Sequence, residues 1–287
     1  MALLPVLFRL CLKRSRHSTV SAHCETKPYH STTMKNVKTI LGATLAAAIL
    51  ALASCKKDPV PDPQPQTGEV NIEFEHAWGP DFKPFRFDTA LVHPTTKDTL
   101  TFQHLRYYIT NIRLQRTDGS WWAQDESYYL VDASTATGSL LKLSGVPAGE
   151  YKALSYMLGV DSARNVSGAQ SGFLSPTYGM YWPWTGYINI RAEGISTTPP
   201  TKAFTYHLGG YSGADNTVRT LSYNFPDQNL RCTPTGKPQI HMKVNVARFW
   251  HGGIKTADIH TIHAPGPNAV TLATNFAGAF VLDHVHN

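Results

Sequence analysis

Histidine is the residue type in this chain with the most chemistry to offer. Of its 13 histidines, His17, His23 and His30 lie near the start. The others are His76, His93, His104, His207, His241, His251, His260, His263, His284 and His286. Neutral imidazole is a nitrogen ligand suited to copper, zinc, iron or nickel. His284-Val285-His286 puts two imidazoles on one face of an extended segment, a chelating spacing in β geometry. His76 ends an alternating run with Trp78 two residues on, so both side chains point to one side if the strand continues. His260 and His263 form a looser pair among turn residues. Thiols add little. Cys11 and Cys24 lie near the start, Cys55 has a role of its own described below, and Cys232 stands alone. A lone thiol forms no internal disulfide and no cysteine zinc motif, so Cys232 reads as a small buried apolar residue.

The second unusual feature is aromatic. Gly179-Met180-Tyr181-Trp182-Pro183-Trp184-Thr185-Gly186-Tyr187 packs four aromatics and a methionine into nine residues. It reads as a hydrophobic plug at one end of the domain, as an aromatic wall beside a metal, or as a platform on which a sugar stacks. No Gly-x-Ser-x-Gly, phosphate loop, His-Glu-x-x-His or dinucleotide fingerprint is present. Asp125-Glu126 sits beside a turn and reads as a solvated loop. With no nucleophile–base or acid–base set in view, the expectation is a protein that binds rather than an enzyme.

The elements that position these residues are mostly strands. Val70–His76 alternates apolar and polar, as a half-buried strand does. Thr99–Gln103, Arg106–Gln115, Tyr128–Asp132, Tyr151–Leu158, Thr185–Ala192, Lys202–Leu208, Val218–Phe225 and Gln239–Val246 read the same way. Asp118-Gly119 and Val146-Pro147-Ala148-Gly149 are turn signals. Only Ala269–Phe280 has helical character. Ser162–Trp184, rich in Gly, Ser, Pro and aromatics, reads as a long ordered loop, of the kind that usually has a function. Many short strands with such turns predict an all-β fold, an antiparallel β-sandwich with long loops.

The start of the chain predicts where it works. Met34-Lys35-Asn36-Val37-Lys38 is a basic leader, Thr39–Ala53 an apolar core, and Leu52-Ala53-Ser54-Cys55 a small-residue cut site ending in cysteine. This is the shape of a bacterial lipoprotein signal peptide, after which Cys55 becomes the lipidated first residue. The expected division is an upstream extension from a misplaced start codon over 1–33, the signal peptide over 34–54, the lipidated Cys55 with a Pro-rich linker over 55–68, and the sandwich domain over 69–287. Several acyl chains anchor a protein stably where one does not. The expected place is the cell envelope, anchored to the outer membrane on its periplasmic or surface side. The chain has 26 Lys/Arg and 20 Asp/Glu, but residues 1–54 hold seven of the former and one of the latter. The remainder is neutral, which removes the charge argument for a nucleic-acid partner.

Several strings in order resemble one family. They are Leu105-Arg106-Tyr107-Tyr108-Ile109-Thr110-Asn111-Ile112-Arg113-Leu114 with Asp118-Gly119; Val146–Tyr151; Leu158-Gly159-Val160; the aromatic string Gly179–Tyr187; and Tyr206-His207-Leu208-Gly209-Gly210. Together they look like the copper-binding MbnP-like domain, and the Cys-Lys-Lys-Asp start is similar to lipoproteins of Bacteroidetes-type bacteria. The resemblance implies a β-sandwich that binds copper, as Cu(I) or Cu(II), through two histidines and a tryptophan oxidised to kynurenine. It also implies a diheme, peroxidase-like partner (MbnH-like) that makes the modification. His207 matches the family's His-Leu-Gly position and is the first ligand expected, with His76, His284 and His286 as further ligands. Trp182, Trp184, Tyr181 and Met180 would form the aromatic shell. Methanotroph members carry Trp-x-His and Asn-His where this chain has Trp121-Trp122-Ala123-Gln124 and Asn165-Val166. Either the site is rebuilt from His76, His284 and His286, or this branch does not bind copper in that way. The expected function is a copper-storing, buffering or transferring lipoprotein. The alternative is a surface lipoprotein that binds a glycan or protein through its aromatic loop.

Overall fold

The computed structural model describes residues 66–198 and 202–287. The expectations for the leader, the signal peptide, the Cys55 anchor and most of the tether lie outside the described residues. Among the described residues, no helix is long and apolar enough to cross a membrane.

Ten strands of five residues or more carry the fold. They are β1 (Thr67–Trp78), β2 (Thr99–Arg116), β3 (Tyr128–Asp132), β4 (Leu140–Pro147) and β5 (Gly149–Leu158). Then come β6 (Gly186–Ser196), β7 (Ala203–Gly209), β8 (Arg219–Asn224), β9 (Gln239–Asn245) and β10 (Phe280–His286). Alternation drives most of them. In β9, Ile240, Met242 and Val244 are buried while Gln239, His241 and Lys243 are half-buried on the other face.

The strands form two sheets. The smaller runs β10–β9–β1, with β4 on the far side of β1. The larger runs β8–β5–β2–β6–β7 and ends on the short strand Thr261–Ile262. Both sheets are mixed rather than purely antiparallel. β1 pairs with β9 in parallel, and β7 pairs in parallel with Thr261–Ile262. Parallel neighbours need a long crossover, and strands so far apart in sequence leave no local mark of their pairing.

A shared core joins the sheets. Phe74 of β1 meets Tyr107 of β2, Tyr156 of β5 and Phe280 of β10 edge to face, with centroids 5.9–6.2 Å apart. Burying a side chain such as Phe74 stabilises the fold by about 1.5–3 kcal/mol. Helix α1 (Ser162–Val166) lies in the segment read as a loop, which also holds two 3-10 turns. Asp161 caps its start by accepting from the Arg164 amide. Helix α2 (Pro267–Ala277) covers the core with Phe276, whose ring stacks on Phe249 at 4.2 Å.

Three sequence expectations shift. The two runs read from Thr99 to Gln115 are one 18-residue strand, which contains a register shift between Thr110 and Arg113. Asn111 sits inside that irregularity at φ 52°, a left-handed value asparagine tolerates. β4 was not expected, because only its terminal turn signal stands out from the sequence. The helical segment lies at Pro267–Ala277, starting on a proline suited to a first helical turn.

Candidate metal centre

The outer face of the small sheet gathers three imidazoles. Glu73 of β1 is opposite His241 of β9, and His241 is opposite His284 of β10. Gln239 is opposite His286 in the adjacent row. Strict alternation along β10 would put Asp283 and His284 on opposite faces. A register shift between His241 and Met242 breaks the alternation, and Asp283 bonds to the ring of His284. Val285 turns inward and is buried, so His286 returns to the face of His284.

One ligand atom from each of His241, His284 and His286 lies within 4.8 Å of the others. The His241 and His284 rings stack at 4.4 Å and 14°. His286 stands edge-on to both, at 5.0 and 4.5 Å. Two carboxylates orient the rings. His241 Nδ1 lies 3.0 Å from Glu73 Oε2, and His284 Nδ1 lies 2.9 Å from Asp283 Oδ2. An ionised carboxylate only accepts, so the hydrogen bond to Asp283 puts the His284 proton on Nδ1 and leaves its lone pair on Nε2, while Glu73 faces His241 Nδ1 at ion-pair distance. Gln239 Nε2 bonds both Glu73 Oε2 at 2.6 Å and His241 Nε2 at 3.1 Å, which leaves the His241 lone pair on Nε2 as well. Carboxylate–histidine pairs of this kind fix the tautomer and raise ligand basicity at metal sites.

The electrostatics favour the ligand form. Burial pushes the His241 imidazole down in pKa, and the neighbouring His284 and His286 push the same way against Glu73. Hydrogen bonding from Lys243 holds the Asp283 carboxyl below its usual range. His284 Nε2 and His286 Nε2 are 2.9 Å apart. Two nitrogens on one ion at a right angle would be separated by roughly the same distance, given bonds of about 2.0–2.1 Å. The donor set therefore fits a late first-row cation.

The other expected site residues lie elsewhere. His207 of β7 is on the large sheet, where Nε2 meets Glu193 Oε1 at 2.5 Å and Nδ1 meets His263 Nδ1 at 3.3 Å. His76 bonds the Tyr107 hydroxyl at 3.0 Å, and burial lowers its pKa to about 4. Met180 is fully buried in an apolar cluster with Tyr108, Leu174 and Tyr187. Tyr181 packs on Tyr187 at 5.0 Å. Trp182 lies 6.0 Å from the His207 ring and stacks at 6.2 Å on Trp184, which is 72% exposed. The structure thus brings His284 and His286 together and adds His241, with neither His76 nor His207 in the group. His241 was legible only as an outward residue of an alternating strand.

Comparison with known proteins agrees with this fold. The MbnP family model matches residues 67–265. The chain belongs to the MbnP family. Among solved structures it is similar to MbnP from Methylosinus trichosporium, at 15% identity and a TM-score of 0.52, over 77% of this chain and 99% of that one. At that identity the likeness speaks for the fold alone. No curated protein sequence matches. His284 and His286 lie beyond the stretch matched by the family model. Val166 is 70% exposed, and the Gln124 side chain accepts from Tyr129. Arg164 beside Val166 pairs with Glu126 and lies over the Tyr128 ring.

Proposed function

We propose that this chain is a copper-binding protein of the cell envelope that stores, buffers or hands over the metal without catalysing a reaction. The observation that supports it best is the convergence of three imidazoles, two of them beside carboxylates with the lone pair on Nε2. Membership of the MbnP family supports copper as the cargo. In this reading Cys55 carries the lipid anchor, and the Pro-rich tether spaces the domain from the membrane. A diheme peroxidase-like partner acting on Trp182 or Trp184 belongs to the same reading, supported by the exposure of Trp184. His241, His284 and His286 hold the ion through Nε2, Glu73 and Asp283 keep two of these rings aligned, and the exposed edge of His286 lets the ion enter and leave.

The test is a calorimetric copper titration of the purified protein beside a His241→Ala/His284→Ala variant. Loss of the triad ion, or affinity at that site at least tenfold weaker, is expected. Identical binding curves for the two proteins would refute the assignment.

A further inference from the structure

A cavity at the shared end of β1 and β9 gathers hydrogen-bond donors and no acid. The parallel register that sets Glu73 beside His241 also ends the two strands together, with Ala77 opposite Asn245. There the chain leaves β9 for the 3-10 segment Val246–Gly253, which Asn245 caps by accepting from the Ala247 amide at 3.2 Å. The same Oδ1 accepts from the Gly79 amide at 2.9 Å. These two bonds fix the oxygen end of the side chain. Its donor end, Nδ2, is thereby oriented and takes part in no bond among the described residues.

Arg248 supplies the charge. Among the described residues no carboxylate pairs with it. Its Nη1 donates to His251 Nδ1 at 3.1 Å. A guanidinium only donates, so the neutral His251 ring carries its proton on Nε2. Arg248 Nε is buried and has no hydrogen-bond partner among the described residues. One side of the guanidinium is closed by Gly278, where an added Cβ would stand 3.0 Å from Nη2. The cation is therefore held in place and short of acceptors.

Asn245, Arg248 and His251 line a cavity of about 200 Å³ together with Thr95, His93 and Trp250. No Asp or Glu is in its lining. His93 serves only as a wall, because Nε2 bonds the Ala247 carbonyl at 3.1 Å and Nδ1 accepts from the Thr95 and Thr96 amides at 3.3 and 3.0 Å. Burial also pushes its pKa down, which keeps the ring neutral. Gly79, Pro80 and Pro94 line this cavity and a larger one, of about 430 Å³, next to it. The larger cavity is walled mostly by apolar side chains, among them Trp78, Pro84, Leu91 and Val92, with Asp81 and Lys83 as its charged members. The Trp78 indole N–H is satisfied by the Val92 carbonyl at 3.0 Å, so its ring offers apolar surface.

We propose that the two cavities form one binding site for an aliphatic monocarboxylate, separate from the histidine triad. The carboxylate pairs with the Arg248 guanidinium, whose planar fork matches it with parallel hydrogen bonds. Asn245 Nδ2 and His251 Nε2 add donors. The chain crosses Pro80 and Pro94 and lies against Leu91, Val92 and Trp78, where each methylene removed from water adds to affinity. Charge at one end and apolar walls at the other select such a ligand over a small inorganic anion, which would leave the larger cavity unfilled.

The experiment is a calorimetric titration of the purified, metal-free protein with sodium octanoate below its micellar concentration, beside sodium acetate and octan-1-ol. Octanoate should bind once per chain and at least tenfold more tightly than acetate or octan-1-ol. Arg248→Gln should weaken octanoate at least tenfold and leave octan-1-ol unchanged. Val92→Asp, at a position 58% exposed, should weaken octanoate and leave acetate unchanged. Far-UV circular dichroism confirms that each variant is folded, and if Arg248→Gln is not, Val92→Asp carries the test. His241→Ala/His284→Ala should bind octanoate as the wild type does, which keeps this site apart from the copper reading. Octanoate binding no tighter than acetate, or indifferent to both Arg248→Gln and Val92→Asp in folded variants, overturns the proposal.

Discussion

At the scale of single residues, the environment decides which imidazoles can serve as ligands. Asp283 accepts from His284 Nδ1, and Gln239 donates to His241 Nε2 while Glu73 faces its Nδ1, so both rings carry their lone pair on Nε2 and are oriented as ligands. His76 has a different fate. Its ring lies between Tyr107 and Phe85, and burial lowers its pKa from 6.5 to about 4. Between those two values the unfolded chain takes up a proton that the folded chain does not. The stability contributed by neutral His76 is therefore complete above about pH 6.5 and is lost as the pH falls toward 4. The loss amounts to at most about 3 kcal/mol, in which burial outweighs the attraction of Asp132 for the charged ring. Urea midpoints at pH 7.5 and pH 5 should fall further apart in the wild type than in His76→Gln. Equal separations would show that this ring does not carry the acid sensitivity. The sequence signalled His76 as sharing one side of its strand with Trp78. Its bond to Tyr107 crosses from one sheet to the other, and spacing along one strand cannot report that.

At the scale of elements, alternation was a good guide and irregularity was not. β9 and the His284-Val285-His286 end of β10 are legible because one face is apolar and the other polar, which is what a covered sheet requires. The shift beside Asp283 leaves no signature in residue type, yet it accompanies the bond that orients His284. The parallel pairing of β1 with β9, which sets Glu73 beside His241, is equally silent in sequence. β4 is hard to read because Ser144 and Gly145 are consecutive exposed positions that break its alternation, and its last residues belong to the Val146–Gly149 turn signal. The role of the Asp283 carboxylate can be isolated with Asp283→Ala. Metal affinity at the triad should drop about tenfold or more, as for other lost carboxylate partners. Stability should change by no more than about 1 kcal/mol, because the ion pair with Lys243 lies at the surface. Titration and urea unfolding of the same sample read both quantities. Full affinity in the variant would mean that the strand alone positions His284.

At the scale of the whole molecule, the triad ties the end of the chain to its middle. Two of its ligands lie on β10, which occupies the edge of the small sheet and, among the described residues, pairs with β9 alone. Phe280 anchors the start of β10 in the core through Phe74, Tyr107, Tyr156 and Phe276, whereas at the end that carries the ligands Val285 is the buried apolar side chain. An ion that binds only when β9 and β10 are in register adds its binding free energy to folding. At free copper one hundred times the dissociation constant, that contribution is about 2.7 kcal/mol. For a domain of this size it corresponds to a rise in Tm of roughly 5–10 °C. Scanning calorimetry with and without copper should show such a shift in the wild type, and one at most half as large in His241→Ala/His284→Ala. Amide hydrogen exchange should place the slowed opening in β9 and β10, because those strands must separate for the ion to leave. A thermal shift of equal size in the variant, with exchange in β10 unaffected by copper, would mean that the ion stabilises the molecule from another site.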